Sequence, residues 1–252
     1  MAALLYGLSA LAGLALGSFL NVCIYRIPRK ESLLYPGSHC PSCEKPVKFY
    51  DNIPVLSFLI LGGKCRNCRS RISWRYPLVE LATSIIFLLS LRHFNSDPAA
   101  AAPYAAFMAL LLAISLIDLD VKIIPNRLVF PGIVTGGIFA ALSWLNVSPM
   151  SSLIGFGVGG GLFYLIALLS RGGMGGGDIK LIALIGILVG WQGVLLTIML
   201  ASSMGALAGV WAILFLKKGR KDQIPFGPFL SLGTCFTIFF GEAIIRYYLL
   251  LW

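Results

Sequence analysis

The chain has 252 residues, of which 58% are hydrophobic and only 12% are charged, and its mean hydropathy is +0.88. A soluble domain is about 45–50% apolar and about 25% charged, so this composition excludes a soluble globular enzyme, a disordered chain and a fibrous protein. The net charge is +10, and ten of the 20 basic residues lie between positions 26 and 76. The positive-inside bias of membrane proteins accounts for this cluster without a nucleic-acid partner.

Eight apolar runs predict an all-α polytopic membrane protein with about eight transmembrane helices. Spans of roughly 20 residues each would use about 160 residues and leave the rest for loops. The sixth run is short for a span, and the segment Trp191-Gln192-Gly193 after it is predicted to form a tight turn on the outer side. The runs are Ala2–Ile27, Pro77–Leu91, Pro103–Leu119, Leu128–Leu145, Ser152–Ser170, Ile179–Gly190, Val194–Leu216 and Pro228–Leu250.

The basic residues predict the orientation of these spans. The first run has no basic residue before it and Arg26, Arg29 and Lys30 after it, the reverse of a secretory signal, so we expect a retained helix with its N-terminus outside. Eight spans put four loops on one side, namely 26–76, 120–127, 171–179 and 217–227. Their positive charge predicts that this side is cytoplasmic. Outside the first of them, these loops carry Lys122, Arg127, Arg171, Lys217, Lys218, Arg220 and Lys221.

Glycines four positions apart recur within the predicted spans. This spacing is typical of helices that approach each other closely in lipid. We expect all such pairs to lie at helix–helix contacts. The pairs are Gly13/Gly17, Gly155/Gly159, Gly157/Gly161 and Gly205/Gly209.

Four cysteines form two C-x-x-C pairs in the basic loop, Cys40/Cys43 and Cys65/Cys68, with 21 residues between the pairs. This is the ligand spacing of a structural zinc site with four sulfur ligands. Two disulfides are the alternative, but thiols stay reduced in the cytoplasm, where the charge pattern puts this loop. We therefore predict a structural Zn²⁺ that helps a loop with few apolar residues to fold. The other two cysteines are predicted to be buried apolar side chains: Cys23 and Cys235.

Acidic residues are rare within membrane-spanning segments, and where they occur they usually mark a functional site. Asp118 ends the third run, Asp120 follows it, and Asp178 closes a run of three glycines. Two positions on a helix differ by about 200°, so Asp118 and Asp120 cannot face one site. In the predicted topology Asp118 and Asp178 share the cytoplasmic edge, where two carboxyls sharing a proton could act as base and acid in aspartic proteolysis. Helix capping by Asp178 and a solvated helix end at Asp118 are the structural alternatives.

The chain resembles the bacterial type IV prepilin peptidases from its first span to its last. The matching segments, in order, are Gly17–Pro28, the cysteine quartet, Asp51–Ser57, Gly62–Cys65, Arg75–Glu80, Ile117–Asp120, Gly175–Lys180 and Ile224–Pro228. One departure is Ile124-Pro125-Asn126, where many relatives have Pro-Asp. We expect no catalytic consequence from it.

The resemblance implies a bifunctional enzyme of the bacterial inner membrane. Such an enzyme cleaves the leader peptides of type IV prepilins and type II secretion pseudopilins, then N-methylates the new N-terminus with S-adenosyl-L-methionine. The family's catalytic aspartates fall on Asp118 and Asp178, the second within a G-x-G-D motif. The cysteine loop is implicated in methyl transfer, with Gly63 and Lys64 as the candidate residues. The N-terminus is expected in the periplasm, and the zinc loop and active site on the cytoplasmic side.

Three domains are predicted: a first transmembrane helix at 1–27, a four-cysteine zinc-binding, methyltransferase-associated loop at 28–76, and a seven-helix peptidase domain at 77–252. Glu80 is predicted to receive a basic residue of the leader or to pair with Arg75 or Arg26. Two other functions stay open: a peptidase-only enzyme that processes flagellin-type precursors, and a non-enzymatic assembly or transport protein. A transporter would place polar residues near the bilayer midplane, whereas these acids cluster at one edge.

Overall fold

The structure is a computed structural model that describes residues 2–170, 173–216 and 224–250. Several basic residues used to predict the orientation lie outside these ranges. They are Arg171, Lys217, Lys218, Arg220 and Lys221.

The described residues are helical apart from loops and two isolated β-bridges, His39–Pro46 and Lys64–Arg71. This confirms the prediction of an all-α chain. The helices are α1 (Ala2–Arg26), α2 (Leu56–Ile60), α3 (Arg75–His93), α4 (Pro98–Val121), α5 (Asn126–Ala141), α6 (Pro149–Leu169), α7 (Gly176–Leu216) and α8 (Gly227–Leu250), with a 3₁₀ turn at Phe49–Asn52 before α2.

Five helices in the described ranges are long and apolar enough to cross a membrane: α1, α4, α6, α7 and α8. Helix α7 has 41 residues, which corresponds to about 60 Å of continuous helix. That is twice the roughly 30 Å of a bilayer core. An unbroken α7 would therefore be too long for a single crossing.

Helix α7 is broken at Gly190, whose φ of +71° and ψ of −178° are not helical. A Cβ atom built on Gly159 of α6 would lie 2.8 Å from the Ile182 carbonyl oxygen and 3.0 Å from Val194 Cγ2. In a straight helix those two residues would be about 18 Å apart. Both can meet Gly159 only because the chain turns back at Gly190. The break lies one residue before the turn predicted at Trp191.

The packing divides the chain into two units, Met1–Ala109 and Leu110–Trp252. In the first unit, α1 packs along α3 through two of the predicted glycines. A Cβ on Gly13 would lie 2.6 Å from Ser84 Cα, and one on Gly17 would lie 2.7 Å from Glu80 Cα. The Ser84 hydroxyl also donates to the Ala10 carbonyl oxygen at 3.1 Å. The predicted boundaries after residues 27 and 76 concern function and stay a prediction.

In the second unit, α6 packs along α7 through Gly155 and Gly159. The Gly155 backbone is so close to the Gly186 carbonyl group that neither glycine has room for a side chain. The pair Gly157/Gly161 lies on another face of α6. A Cβ atom built on either glycine has no other described atom within 4 Å, so the prediction that this pair lies at a helix contact is wrong. Since all four glycines belong to one helix, their spacing could not tell the packed face from the open one. A Cβ atom on Gly205 would lie 3.3 Å from the Phe226 ring, a tight contact, and one on Gly209 would lie 3.7 Å from Ile224 Cδ1, an ordinary one.

The core of the second unit is a cluster of fully buried apolar side chains contributed by five helices. These helices are α4, α5, α6, α7 and α8. The members of the cluster are Leu111, Ile114, Val129, Phe163, Leu181, Ile182, Ile185, Val194, Ala201 and Leu230.

The contrast between the two faces of α6 gives a direct test of the packing. Gly155→Ala should lower the free energy of unfolding by about 1–3 kcal/mol, because the new methyl group collides with the α7 backbone. Gly157→Ala should leave stability unchanged or raise it, since it meets open space and alanine favours the helix. Thermal unfolding of the two purified variants in the same detergent measures the difference. Equal stabilities would contradict this packing.

Candidate active site

Asp118 lies near the end of α4 and is only 5% exposed. Its Oδ2 atom accepts a hydrogen bond of 3.0 Å from the backbone N–H of Gly227, the first residue of α8. The N–H groups at a helix start have no partner within the helix, and they stabilise negative charge nearby. The start of α8 therefore supplies the partner that a buried carboxyl requires.

Asp178 lies in the first turn of α7 and is half-buried. The backbone of Gly175 hydrogen-bonds to its carboxyl group, and the charge of Asp118 acts on it. The structure therefore brings together the carboxyl groups of the two aspartates that the sequence pointed to, that of Asp118 at the start of α8 and that of Asp178 at the start of α7. Asp120, by contrast, is exposed, as the 200° rotation between the two positions requires.

The glycines before Asp178 allow a close approach to the loop between α4 and α5. A Cβ atom on Gly177 would lie 2.7 Å from Ile124 Cβ, so a larger residue there would push Asp178 away from α4. Just beyond, the Lys180 ammonium donates to Asn126 Oδ1 at 3.0 Å and ties the start of α7 to the start of α5. Asn126, which departs from the pattern of many relatives, thus has a structural partner.

The four loop cysteines form a compact cluster. Their Sγ atoms all lie within 4.8 Å of one another, and those of Cys40 and Cys68 are 3.7 Å apart. A tetrahedral zinc ion with Zn–S bonds of about 2.3 Å would hold its sulfur ligands roughly 3.8 Å apart. All six cysteines of the chain are free. The cluster therefore fits a metal ion with four sulfur ligands, and the disulfide alternative is not realised.

Each C-x-x-C pair forms the same backbone turn. The N–H of Cys40 donates to the Lys45 carbonyl oxygen at 3.0 Å, and that of Cys65 donates to the Ser70 carbonyl oxygen at 2.8 Å. In both turns the residue four positions after the first cysteine has a left-handed backbone, with φ of 57° at Glu44 and 61° in the second turn. Hydrogen bonds from the Ser42 backbone and the Ser70 side chain lower the pKa of the Cys40 thiol to about 6. Of the other two cysteines, Cys23 is buried and Cys235 is half-buried.

The first unit also contains a cavity of about 410 Å³ between the cysteine loop and one end of the α1–α3 pair. Cys40 and Cys65 contribute to its wall, as does Glu80. Glu80 is 7% exposed and accepts hydrogen bonds from the Val55 backbone N–H at 2.7 Å and from the Ser18 hydroxyl.

Gly63 and Lys64 do not line this cavity. Gly63 has φ +66°, and a Cβ atom there would lie 3.1 Å from Phe58 Cζ. Its carbonyl oxygen accepts a 2.8 Å hydrogen bond from the Ile72 N–H. Phe58 and Ile72 do line the cavity, so Gly63 supports two residues of the wall.

Sequence reasoning missed three residues of this region: Gly227, Val55 and Ser18. Gly227 lies in the quoted segment Ile224–Pro228, but nothing in that pattern says that its N–H group meets Asp118. Val55 and Ser18 are donors to Glu80 that come from a loop and from another helix. Only the folded chain shows these pairings.

Comparisons with known proteins identify the family of this chain. Residues 11–94 match the bacterial peptidase A24 N-terminal domain, and residues 105–210 match the type IV leader peptidase family. Relatives named prepilin leader peptidase/N-methyltransferase include those of Pseudomonas aeruginosa and Bacillus subtilis. That of Pseudomonas aeruginosa is 35% identical over 95% of this chain and 91% of its own length; that of Bacillus subtilis is 34% identical over 94% and 95%. No solved structure matches the chain. This chain therefore belongs to the type IV leader peptidase family, and its relatives are named for both a peptidase and an N-methyltransferase activity.

Proposed function

We propose that this membrane enzyme cleaves the leader of prepilins and pseudopilins with Asp118 and Asp178, then methylates the new N-terminus. The observation that carries the peptidase assignment is the meeting of two carboxyl groups at the starts of α7 and α8. Two carboxyls within reach of each other's charge resist ionising together, so the pair keeps one proton between them. The family relationship supports both activities.

In the proposed cleavage, the ionised carboxylate removes a proton from water, whose oxygen attacks the carbonyl carbon of the scissile bond. The protonated partner then donates its proton to the leaving nitrogen as the carbon–nitrogen bond breaks. The Gly227 N–H group orients Asp118, and the Gly175 backbone orients Asp178. The products are a leader with a free carboxyl group and a pilin with a free N-terminal amine.

That amine is the substrate of the second reaction. When bound, S-adenosyl-L-methionine supplies an electrophilic methyl group to the amine lone pair, the carbon–sulfur bond breaking with its electrons left on sulfur and the amine proton passing to water. The proposed methyltransferase half of the chain is the cysteine loop, with Gly63 and Lys64 as its candidate residues. The cavity between this loop and the α1–α3 pair supports the assignment of the region, since its volume lies in the range of small-molecule sites. Gly63 would act on it through Phe58 and Ile72, which belong to its wall.

The cysteine quartet is proposed to hold a structural Zn²⁺ through Cys40, Cys43, Cys65 and Cys68. Four sulfur ligands leave no open position for water, so the ion would stabilise the loop without taking part in either reaction. We further propose eight membrane crossings in the bacterial inner membrane, with the cysteine loop on the cytoplasmic side. Helices α1, α4, α6 and α8, the two halves of α7, and the shorter helices α3 and α5 would supply one crossing each. The basic residues of the loop favour its position on the cytoplasmic side.

Replacing either proposed catalytic carboxyl should abolish cleavage. Asp118→Asn and Asp178→Asn remove the proton exchange that the reaction requires but keep the shape of the side chain. Both variants should still methylate a pilin that has already been cleaved. Mass spectrometry of the pilin N-terminus, after incubation with purified enzyme, reports cleavage and methylation separately.

Asp120→Asn is the matched control, because its exposed side chain points away from the Asp118 carboxyl. It should keep most of the cleavage activity. If Asp120→Asn abolished cleavage while Asp118→Asn retained it, the assignment of Asp118 would be overturned.

The hydrogen bond at the start of α8 can be tested at Gly227. A Cβ atom there would lie 2.8 Å from Asp118 Oδ2, so Gly227→Ala should displace the carboxyl and reduce the cleavage rate on the order of 100-fold. Gly137→Ala, where nothing in the described chain lies within 4 Å of the new atom, is the control. Cleavage rates at equal thermal stability measure the effect, and an active Gly227→Ala enzyme would contradict it.

The proposed zinc site can be tested by measuring the metal content of the purified protein. Purified protein should contain about one zinc ion per chain, and the double variant Cys40→Ser/Cys65→Ser should lose it because two of the four ligands are gone. Cys235→Ser, outside the cluster, should keep the metal. Elemental analysis measures both, and freshly purified active enzyme without metal would refute the proposal.

The two activities should respond differently to a change at Gly63. Gly63→Val should impair methylation more than cleavage, because a branched residue is strained at φ +66° and presses on Phe58. Gly37→Val, in the same loop but with no atom of the described chain near the new side chain, should affect neither activity. The ratio of methylated to unmethylated cleaved pilin is the measurement. Equal loss of both activities in a folded Gly63→Val enzyme would argue against a separate methyltransferase region.

A further inference from the structure

The cavity in the first unit is lined from three directions. One stripe of α1 contributes Ser18, Asn21, Val22 and Tyr25, whose spacing places them on one helix face. The start of α3 contributes Tyr76 and Glu80, and the cysteine loop closes the remaining side. Its volume of about 410 Å³ lies within the roughly 300–1,000 Å³ of small-molecule sites.

Glu80 is a buried acid in the wall of this cavity. Its two hydrogen-bond donors, the Val55 N–H and the Ser18 hydroxyl, are both uncharged. Within the described chain Glu80 forms no ion pair, and the guanidinium of the cavity-lining Arg26 donates instead to the carbonyl oxygens of Ser32, Pro36 and Gly37. Buried carboxylates are costly unless a positive charge accompanies them. Glu80 is therefore suited to a ligand that carries positive charge.

The rest of the wall combines aromatic side chains, which suit a flat aromatic group, with basic ones, namely Arg26, Lys45, Lys48, Arg66 and Arg71. Tyr25, Phe58 and Tyr76 line the cavity, and the Phe58 ring packs against Trp74 with 4.7 Å between ring centroids. Aromatic side chains of this kind stack on nucleobases. The Asn21 side chain, 6% exposed, donates to the Tyr76 carbonyl oxygen at 3.0 Å and fixes that edge of the wall.

We propose that this cavity binds the methyl donor, an adenosyl sulfonium of the S-adenosyl-L-methionine class, and that Glu80 provides the negative charge facing its positive sulfur. The inference rests on the proposed methyltransferase function and assigns it a site. It also gives the cysteine cluster a purpose: Cys40 and Cys65 belong to the wall, so a metal ion that fixes the cysteines fixes the shape of the cavity.

Binding of the leader's basic residues by Glu80 is the competing interpretation. A peptide side chain would need little more than the carboxylate itself. The cavity provides in addition a volume of about 410 Å³ and three aromatic side chains. A lysine side chain can also lie over an aromatic ring, but a nucleoside fills this volume better. The donor is therefore the better fit.

The test compares two ligands that differ in charge at sulfur. S-adenosylmethionine carries a positive sulfonium, whereas its product S-adenosylhomocysteine carries a neutral thioether. Glu80→Gln removes the negative charge but keeps an oxygen that accepts from the Val55 N–H. Titration calorimetry of the detergent-solubilised full chain should show S-adenosylmethionine affinity falling on the order of 10-fold or more. The affinity for S-adenosylhomocysteine should change much less.

Glu242→Gln is the matched control, since Glu242 is exposed on α8 and pairs with Arg246 at 2.9 Å. It should change neither affinity. Val22→Trp places a large side chain in the cavity from α1 and should lower the affinity for both ligands. Zinc content and leader cleavage, measured on every variant, show that each is folded.

Three outcomes would overturn the inference while leaving the proposed function intact. In the first, the wild-type enzyme methylates a pilin but Val22→Trp and Glu80→Gln bind both ligands normally. In the second, Glu80→Gln lowers the affinities for both ligands by the same factor. In the third, it leaves both affinities unchanged and raises the KM for the precursor, which would assign Glu80 to the leader. Failure of the wild-type enzyme to methylate any pilin would instead refute the proposed function itself.

Discussion

The second unit depends on the burial of a carboxyl group at the end of an apolar helix. Asp118 is 5% exposed, and a carboxyl in that position needs a hydrogen-bond donor that no apolar side chain can supply. The start of α8 supplies it through Gly227, which must be a glycine because a Cβ atom would collide with the carboxyl. The start of α7 holds Asp178 in a comparable way. The same unpaired N–H groups that every helix start exposes thus position both acids.

In the first unit a different constraint applies. In the cysteine loop, all of which the structure describes, Cys40 is the only buried apolar side chain, and the pairing between backbone segments is limited to two isolated β-bridges. The loop therefore has no conventional core. Two equivalent turns bring four sulfur atoms together instead, and Arg26 fixes the beginning of the loop through three backbone carbonyl oxygens. Glu80 fixes the other side by holding the Val55 N–H, whose residue has a left-handed backbone with φ +60°. A cavity remains where the loop meets α1 and α3.

The proposed chemistry links the two units through a single functional group. Peptide cleavage releases an amine, and an amine is the nucleophile that methyl transfer needs. In the proposed mechanism neither reaction uses a residue of the other, since proteolysis needs two carboxyls and methylation needs a donor pocket. This independence is what allows variants of each half to be distinguished by the mass of one product.

The sequence by itself determined the membrane class, the approximate position of the helices and the two C-x-x-C pairs, and it showed that Asp118 and Asp120 cannot face one site, because hydropathy, ligand spacing and helix rotation are local properties. The preference for Asp118 rests on the family resemblance. The sequence did not distinguish Gly155/Gly159, which pack against α7, from Gly157/Gly161, which face open space. Nor did it reveal that Gly227 meets Asp118, that α7 reverses at Gly190 rather than after it, or that Val55 and Ser18 hold Glu80. These contacts join residues up to 109 positions apart along the chain. The tertiary structure alone decides them, because a pattern in one segment carries no information about which distant backbone group will lie beside it.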